Sequence, residues 1–397
     1  MTRTYIFNPE HDLAMAYGTE GYTAPPRAQL LRRDLQMLPA WYCTTDGVTN
    51  ILSQNVADDT LWLQQMSTSI GLQASPIAIN RLQCRHSSYH PWGWDFDLRG
   101  RLLNACVAHD DLPQRQQIAT LHKLAHRRMS ITLLDRLGEV IDMEFPPRSI
   151  EASSVEEIRH FNSLYPTCYI KAPWSGSGKG IYRVLDDNSR NFATWAQGII
   201  NRQGSIMCEA PLDKIMDFAM EFTCSGGIAS FLGYSIFTND SHCSYDCGII
   251  APQCTLMQAI DTRLRQPGLL DALQKNLCTI ITELIAPHYN GYLGIDMMLY
   301  NGHDGSVRLN PCVELNLRMT MGAVAVIIAD RHLAKGSTAT IGVSYYKSPQ
   351  QLKAAIASAS ASNPLRTANG KIASGFLPLV PTYPDSRFLA HLTVLPN

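Results

Sequence analysis

Residues 294–300 read GIDMMLY and residues 313–320 read VELNLRMT. The second run alternates: Glu314, Asn316 and Arg318 are two apart, and Val313, Leu315 and Leu317 fall between them. In a strand, side chains two apart share a face. Glu314, Asn316 and Arg318 therefore form one polar row, continued backwards by Cys312, while Val313, Leu315 and Leu317 turn to the core. The intervening Asp304–Gly305 is a turn signal, so residues 291–317 read as a hairpin with Asp296 on the neighbouring strand. Two carboxylates and an amide oxygen make a hard, oxygen-only donor set of the kind that holds magnesium on nucleotide phosphates. An adjacent arginine suits a carboxylate or a transferring phosphoryl group held by two hydrogen bonds.

Upstream, residues 169–184 read YIKAPWSGSGKGIYRV. A Walker A loop would need Ser or Thr where Gly180 stands and Gly where Pro173 stands. A dinucleotide fingerprint would need a helix after the glycines, whereas IYRV is β-branched and aromatic. The stretch is thus strand, glycine loop, strand. Glycines there let backbone N–H groups approach a phosphate chain, and Lys171 adds a positive charge.

Lys171, the loop Ser175–Gly180, Glu209 in IMCEAPL, Glu221 in AMEFTCS, Asp296 and Glu314-x-Asn316-x-Arg318 together resemble, in order, the ATP-grasp superfamily. The resemblance runs from about Ser130 to Gly322. It implies ATP and Mg2+, with Mn2+ as a substitute, bound between two α+β subdomains beneath a glycine-rich lid of Ser175, Gly176, Ser177, Gly178 and Lys179. It implies Lys171 on the α/β phosphates, and a hinge at Glu209, Ala210, Pro211 and Leu212 that reads adenine through backbone groups. Asp213 or Lys214 would reach the ribose, and Glu221 would lie near ribose and metal. Asp296, Glu314 and Asn316 would hold the metal, and Arg318 would stabilise an acyl phosphate. Relatives carry a further cation ahead of the lid, for which Arg148 is the candidate here. Trp174 is bulky for a lid and either packs on the nucleotide or anchors the loop.

The chain has 397 residues and a net charge of -1, which suggests two to three domains and no polyanion partner such as nucleic acid. Eleven scattered cysteines without a CxxC pair read as reduced thiols; the tightest cluster, His242, Cys243 and Cys247, is a poor zinc pattern. The polar break at Asn8–Asp12 argues against a signal peptide and no run is long enough for a membrane helix, so a cytoplasmic address is expected.

Residues 1–130 read as a parallel α/β substrate domain: strand TYIF, a helix opening at Pro26, strand ASPIAIN, then three helices. Residues 131–210 would form the lid subdomain, with a capping box of Ser153 and Glu156. Residues 211–335 would form the metal-binding subdomain, and residues 336–397 a C-terminal extension whose AIASASASNPLRTANG is a surface connection. NPEHDLAMA follows the first strand, where such sheets bind ligands. His11, Asp12 and Arg27 are its candidate substrate residues, each with a plainer alternative as turn stabiliser or solvated side chain. HPWGWD offers a stacking platform or a packed aromatic cluster, and Arg127–Arg128 read as a charged helix face. The expected activity is a ligase that activates a small-molecule carboxylate as an acyl phosphate, releases ADP and joins an amine, with a homodimer by analogy. A small-molecule kinase would share the same nucleotide site, and a non-catalytic nucleotide-binding protein is a third reading.

Overall fold

The computed structural model describes residues 2–82, 87–176, 180–185, 190–239 and 245–395. Strands Thr2–Ile6, Thr49–Leu52, Ser75–Ile77 and Ser87–Pro91 form a four-stranded sheet in which every pairing is parallel and Thr2–Ile6 lies between Thr49–Leu52 and Ser87–Pro91. The crossovers are helical, as parallel pairing requires. Pro26 starts helix Pro26–Asp34, where its missing N–H costs nothing. Helix Val56–Ile70 stops at Gly71 in the left-handed conformation. Asp95 caps helix Phe96–Asn104 by accepting from Leu98 N–H.

A small antiparallel sheet follows, in the order Ile150–Ala152, Ile206–Glu209, Cys168–Lys171, Ile181–Val184. Helices Val155–Leu164 and Arg190–Gln203 bury Ile158, Phe161, Phe192 and Ala196 against it. The cap of the first helix sits one residue later than expected. Ser154 accepts from Glu157 N–H, and the Glu157 carboxylate reaches back to Ser153 N–H at 2.8 Å. Either serine satisfies the pattern, and Ser154 is the one that takes the extended conformation a cap needs.

The rest of the chain builds one nine-stranded antiparallel sheet. Its order is Val307–Asn316, Gly291–Asn301, Asp213–Ser225, Ile228–Asn239, Tyr245–Ile250, Ala339–Tyr345, Phe388–Val394, Lys371–Pro378, Arg366–Ala368. Gly226 and Gly227, with φ of 58° and 79°, make the tight turn between the two long strands. Residues 336–395 therefore extend this sheet, and Trp41 of the first domain donates Nε1–H to Leu379 O at 2.6 Å. Residues 355–370 are not a surface connection: Ala355–Ser362 complete helix Pro349–Ser362 and Arg366–Ala368 form the edge strand. Alanine favours helix, and Ser348 caps it by accepting from Gln351 N–H with Pro349 at its first turn. Helix Arg128–Gly138 packs on the large sheet rather than the small one: Leu133 and Leu137 share a core with Phe218, Leu277 and Leu293.

The strand Val307–Asn316 also departs from strict alternation. Asp296 pairs with Glu314 but Met298 pairs with Asn310, so residues 311–313 bulge opposite Met297. Pro311 cannot donate to a ladder, which favours a bulge there. As a result Cys312 joins the core and Val313 does not, while Leu315 and Leu317 are buried as expected.

Candidate active site

Beyond the bulge, the register sets Asp296 across from Glu314 and Gly294 across from both Asn316 and Glu221. Glu221, Asp296, Glu314 and Asn316 thus share one face of the large sheet. Burial, then the neighbouring carboxylates of Glu314 and Glu221, push the Asp296 carboxyl up to about 8, although Asn316 donates to it. Glu221 lies behind this row. Ser235 Oγ and Thr320 Oγ1 each donate to it at 2.8 Å, and burial lifts its carboxyl to about 7. Glycine is required around it: a Cβ on Gly322 would come within 1.9 Å of Glu221 Oε1, and one on Gly294 within 2.7 Å of Oε2. Among the described residues no trio of His, Cys, Asp or Glu converges tightly enough to enclose an ion. The converging set is two carboxylates and the Asn316 amide, open on its outer side.

Among the described residues three cations face these acids, each engaged in an ion pair. Arg318 holds Asp12 through Nε to Oδ1 and Nη2 to Oδ2, both 2.9 Å, with Nε also 3.2 Å from Oδ2. Burial alone would raise Asp12, but Arg318 and His11 hold its carboxyl below the usual range. Lys171 Nζ meets Glu209 Oε2 at 2.5 Å, so these two expected nucleotide contacts come together. The third cation is Arg127, read in the sequence as part of a solvated helix face. It is buried, and Nη1 reaches Glu314 Oε2 at 2.8 Å. Its Nε donates to Ala172 O at 3.0 Å and Nη2 to Ser175 Oγ at 3.1 Å. It therefore ties the base of the lid to the acidic row. Arg148, the candidate for this cation, instead pairs with Asp135 on the surface. No local signal marks Arg127, because its partners are contributed by other elements.

At the lid, Ser175 touches Arg127 and Gly176 abuts Asp12, whose Oδ2 would lie 2.2 Å from any Cβ there. Ser177, Gly178 and Lys179 lie outside the described residues, as do His242 and Cys243. Trp174 anchors the loop: it stacks on His122 with centroids 4.0 Å apart and donates Nε1–H to His122 O at 3.0 Å. Past the hinge, Leu134, Ala210, Leu212 and Val313 line a shallow pocket together with Ser130, Glu209 and Asn310. Pro211 is exposed, Asp213 accepts from Asn301 Nδ2 at 2.7 Å, and Lys214 pairs with Asp217 at 2.6 Å. In the first domain His11 Nδ1 lies 3.2 Å from Asp95 Oδ2. Arg27 is not near the cleft; its guanidinium lies 4.3 Å over the Tyr345 ring. Trp92 is packed edge-on against Phe7 at 5.1 Å rather than forming an open platform.

No family model matches this chain, and no curated protein does. Solved structures do. An N5-carboxyaminoimidazole synthetase from Staphylococcus aureus, complexed with ADP, is 15% identical over 100% of this chain and 93% of its own, with a TM-score of 0.52. A biotin carboxylase from Campylobacter jejuni, in a β-γ-ATP complex, is 10% identical over 99% of this chain and 87% of its own, with a TM-score of 0.55. The chain has the ATP-grasp fold. Within that fold the acidic row lies on the large sheet, the start of the glycine loop follows a strand of the small one, and Asp12 of the parallel domain meets Arg318 and Gly176. Among the described residues no helix is long and apolar enough to cross a membrane.

Proposed function

We propose that the chain is an ATP-dependent ligase that activates a small-molecule carboxylate and joins it to an amine. The observation that carries this reading is the convergence of Asp296, Glu314 and Asn316 with Arg318 in one cleft, faced by Lys171 and Arg127 from the lid side. The residues fit magnesium. The donors are all oxygen, and the Asp296 carboxyl is lifted to about 8 by burial and by two acids that Asn316 and Arg318 offset only in part. Magnesium is commonly held by one or two carboxylates, with phosphates and water completing the shell. When bound there it neutralises charge on the ATP phosphates. The pocket lined by Ala210, Leu212 and Val313 suits a flat base, and Lys171 suits the phosphates beside Glu209.

The carboxylate oxygen attacks the γ-phosphorus and the bond to ADP breaks. Arg318, released from Asp12, binds the acyl phosphate by the two donors it now gives to that carboxylate. The amine attacks the acyl carbon, inorganic phosphate leaves, and the ammonium proton passes to solvent or base. Trp174 and Arg127 hold the lid over the cleft and exclude the water that would hydrolyse the acyl phosphate. Incubation with MgATP and a metabolite pool, beside Glu314→Ala, tests this by mass spectrometry. A product equal to two metabolites less water, with ADP released by the wild type only, is the expected result. A metabolite that gains only a phosphoryl group makes the protein a kinase, and intact ATP removes the catalytic reading.

A further inference from the structure

His11 is a buried titratable group of the cleft with no part in phosphate or metal binding. A shallow pocket between the base of the lid and the acidic row is lined by His11, Asp12, Ser175, Glu314, Asn316 and Arg318. His11 opens helix His11–Tyr17, which follows strand Thr2–Ile6, and its neighbour Asp12 already meets Arg318 at this pocket. By sequence alone such a histidine is a turn stabiliser. In the fold its surroundings fix both its orientation and its tautomer.

His11 Nδ1 lies 3.2 Å from Asp95 Oδ2, and each residue is only 2% exposed. Asp95 is itself held in place. It accepts from Asn8 Nδ2 at 3.2 Å, and its Oδ1 accepts from Leu98 N–H at 2.8 Å as the cap of helix Phe96–Asn104. A carboxylate that only accepts selects the tautomer with its proton on Nδ1, so in the neutral ring Nε2 carries the lone pair. Gly93 lies flat against the ring: a Cβ there would come within 2.7 Å of His11 Cγ, Cδ2 and Nδ1. Asn8 pins that glycine through Nδ2 to Gly93 O at 2.8 Å. Nε2 makes no hydrogen bond among the described residues. An imidazole oriented by a buried carboxylate, with its second nitrogen unpaired at a pocket, is built to take up a proton.

We propose that His11 is the general base of acyl transfer, taking the proton of the attacking amine on Nε2, with Asp95 as its positioning residue. The assignment rests on the ligase reading. The amine nitrogen bonds to the acyl carbon, and the bond from that carbon to the phosphate oxygen breaks. The surplus proton on nitrogen moves to His11 Nε2, and the imidazolium passes it to the departing phosphate. Amide and hydrogen phosphate form, and the neutral ring is restored. Arg318 exchanges Asp12 for the acyl phosphate, which brings the reacting carbon to the pocket that His11 lines. The other acids there serve less well. Glu314 is committed to Arg127 or to metal. Burial would raise Asp12, but Arg318 and His11 hold it below the usual range, which makes it the weaker proton acceptor.

The test compares two rates in the full chain with MgATP and the metabolite pool. Hydroxylamine traps an acyl phosphate as hydroxamate without an enzymic base, whereas the amide reports transfer to the natural acceptor. His11→Asn keeps a donor near Nδ1 for Asp95 and removes Nε2. It is expected to lower the ratio of amide rate to hydroxamate rate by about a hundredfold or more. Asp95→Asn can still cap the helix, but its amide donates to Nδ1 and selects the other tautomer, so the ratio should fall there too. It replaces His11→Asn if circular dichroism shows that variant unfolded. An unchanged ratio in a folded variant overturns the base and leaves the ligase standing. Hydroxamate without amide from the wild type also overturns it. If the wild type yields neither product, the ligase reading fails and the base is withdrawn with it.

Discussion

Asp296→Asn isolates the most perturbed acid of the cleft. Its carboxyl has an ordinary value of 3.8 and is pushed up to about 8 by burial and by Glu314 and Glu221. A raised carboxyl stabilises the folded state while it stays protonated, and that contribution is lost as pH rises through the folded value. Between about pH 5.5 and about pH 8.5 the unfolded chain has already released this proton, while the folded chain retains it for about 2.4 of those three pH units. At about 1.4 kcal/mol per unit, the unfolding free energy falls by about 3 kcal/mol. This is an upper bound, because Asp296 borders an open cleft and solvent screens part of the repulsion. Urea denaturation at the two pH values should show that fall in the wild type on top of the one Glu221, lifted to about 7, contributes in both proteins, and a total drop smaller by about 2–3 kcal/mol in the variant, whose amide does not titrate. Magnesium should restore the wild type at the higher pH and leave the variant unmoved. Equal pH dependence in both proteins, or an equal gain from magnesium, would refute the electrostatic account of the site.

Arg127→Met should lower the unfolding free energy by about 3 kcal/mol, since it leaves Glu314 and Ala172 O without their buried donor; an unchanged denaturation midpoint would mean the contact does not form in solution. A double-mutant cycle of Asp12→Asn and Arg318→Ala should give a coupling of about 1–3 kcal/mol, and additive effects would dissolve the pair that links the first domain to the cleft. Lys171→Ala should weaken ATP binding by about tenfold or more, the loss of a charge-assisted contact; the same affinity by calorimetry would take Lys171 off the phosphates.

Among the described residues, three cations of the cleft are held by acids: Arg318 by Asp12, Arg127 by Glu314, Lys171 by Glu209. Nucleotide and metal would therefore bind by partner exchange. Glu314 cannot serve a metal fully while Arg127 occupies Oε2, and Arg127 also ties the lid through Ala172 and Ser175. On the proposed reading, a metal on Glu314 would compete with Arg127 for Oε2, while the bonds of Arg127 to Ala172 O and Ser175 Oγ still hold the glycine loop.

What the sequence determined by itself was local. Glu314 and Asn316 lie two apart on one strand and so share a face, and the turn at Asp304–Gly305 forces Asp296 onto the adjoining strand; the strand ends at Asn316, so Arg318, expected in the same row, lies in a bend just past it. Glycines between two β-rich runs exclude the helix-opening phosphate loops for an equally local reason. Composition was less informative over residues 349–362, where alanine and serine suit loop or helix until Ser348 and Pro349 supply a start. The tertiary structure decided which charges meet. Arg318 finds Asp12 across 306 positions of chain, and buried Arg127 looks in sequence like any arginine at a helix start. The same holds for Glu221: its acidity is legible, but only the gaps at Gly294 and Gly322 draw it behind the row of acids it was grouped with. Spacing records what neighbours along the chain must do, whereas pairing of distant charges depends on how sheets and helices pack, and an isolated Arg or Asp carries no mark of its future partner.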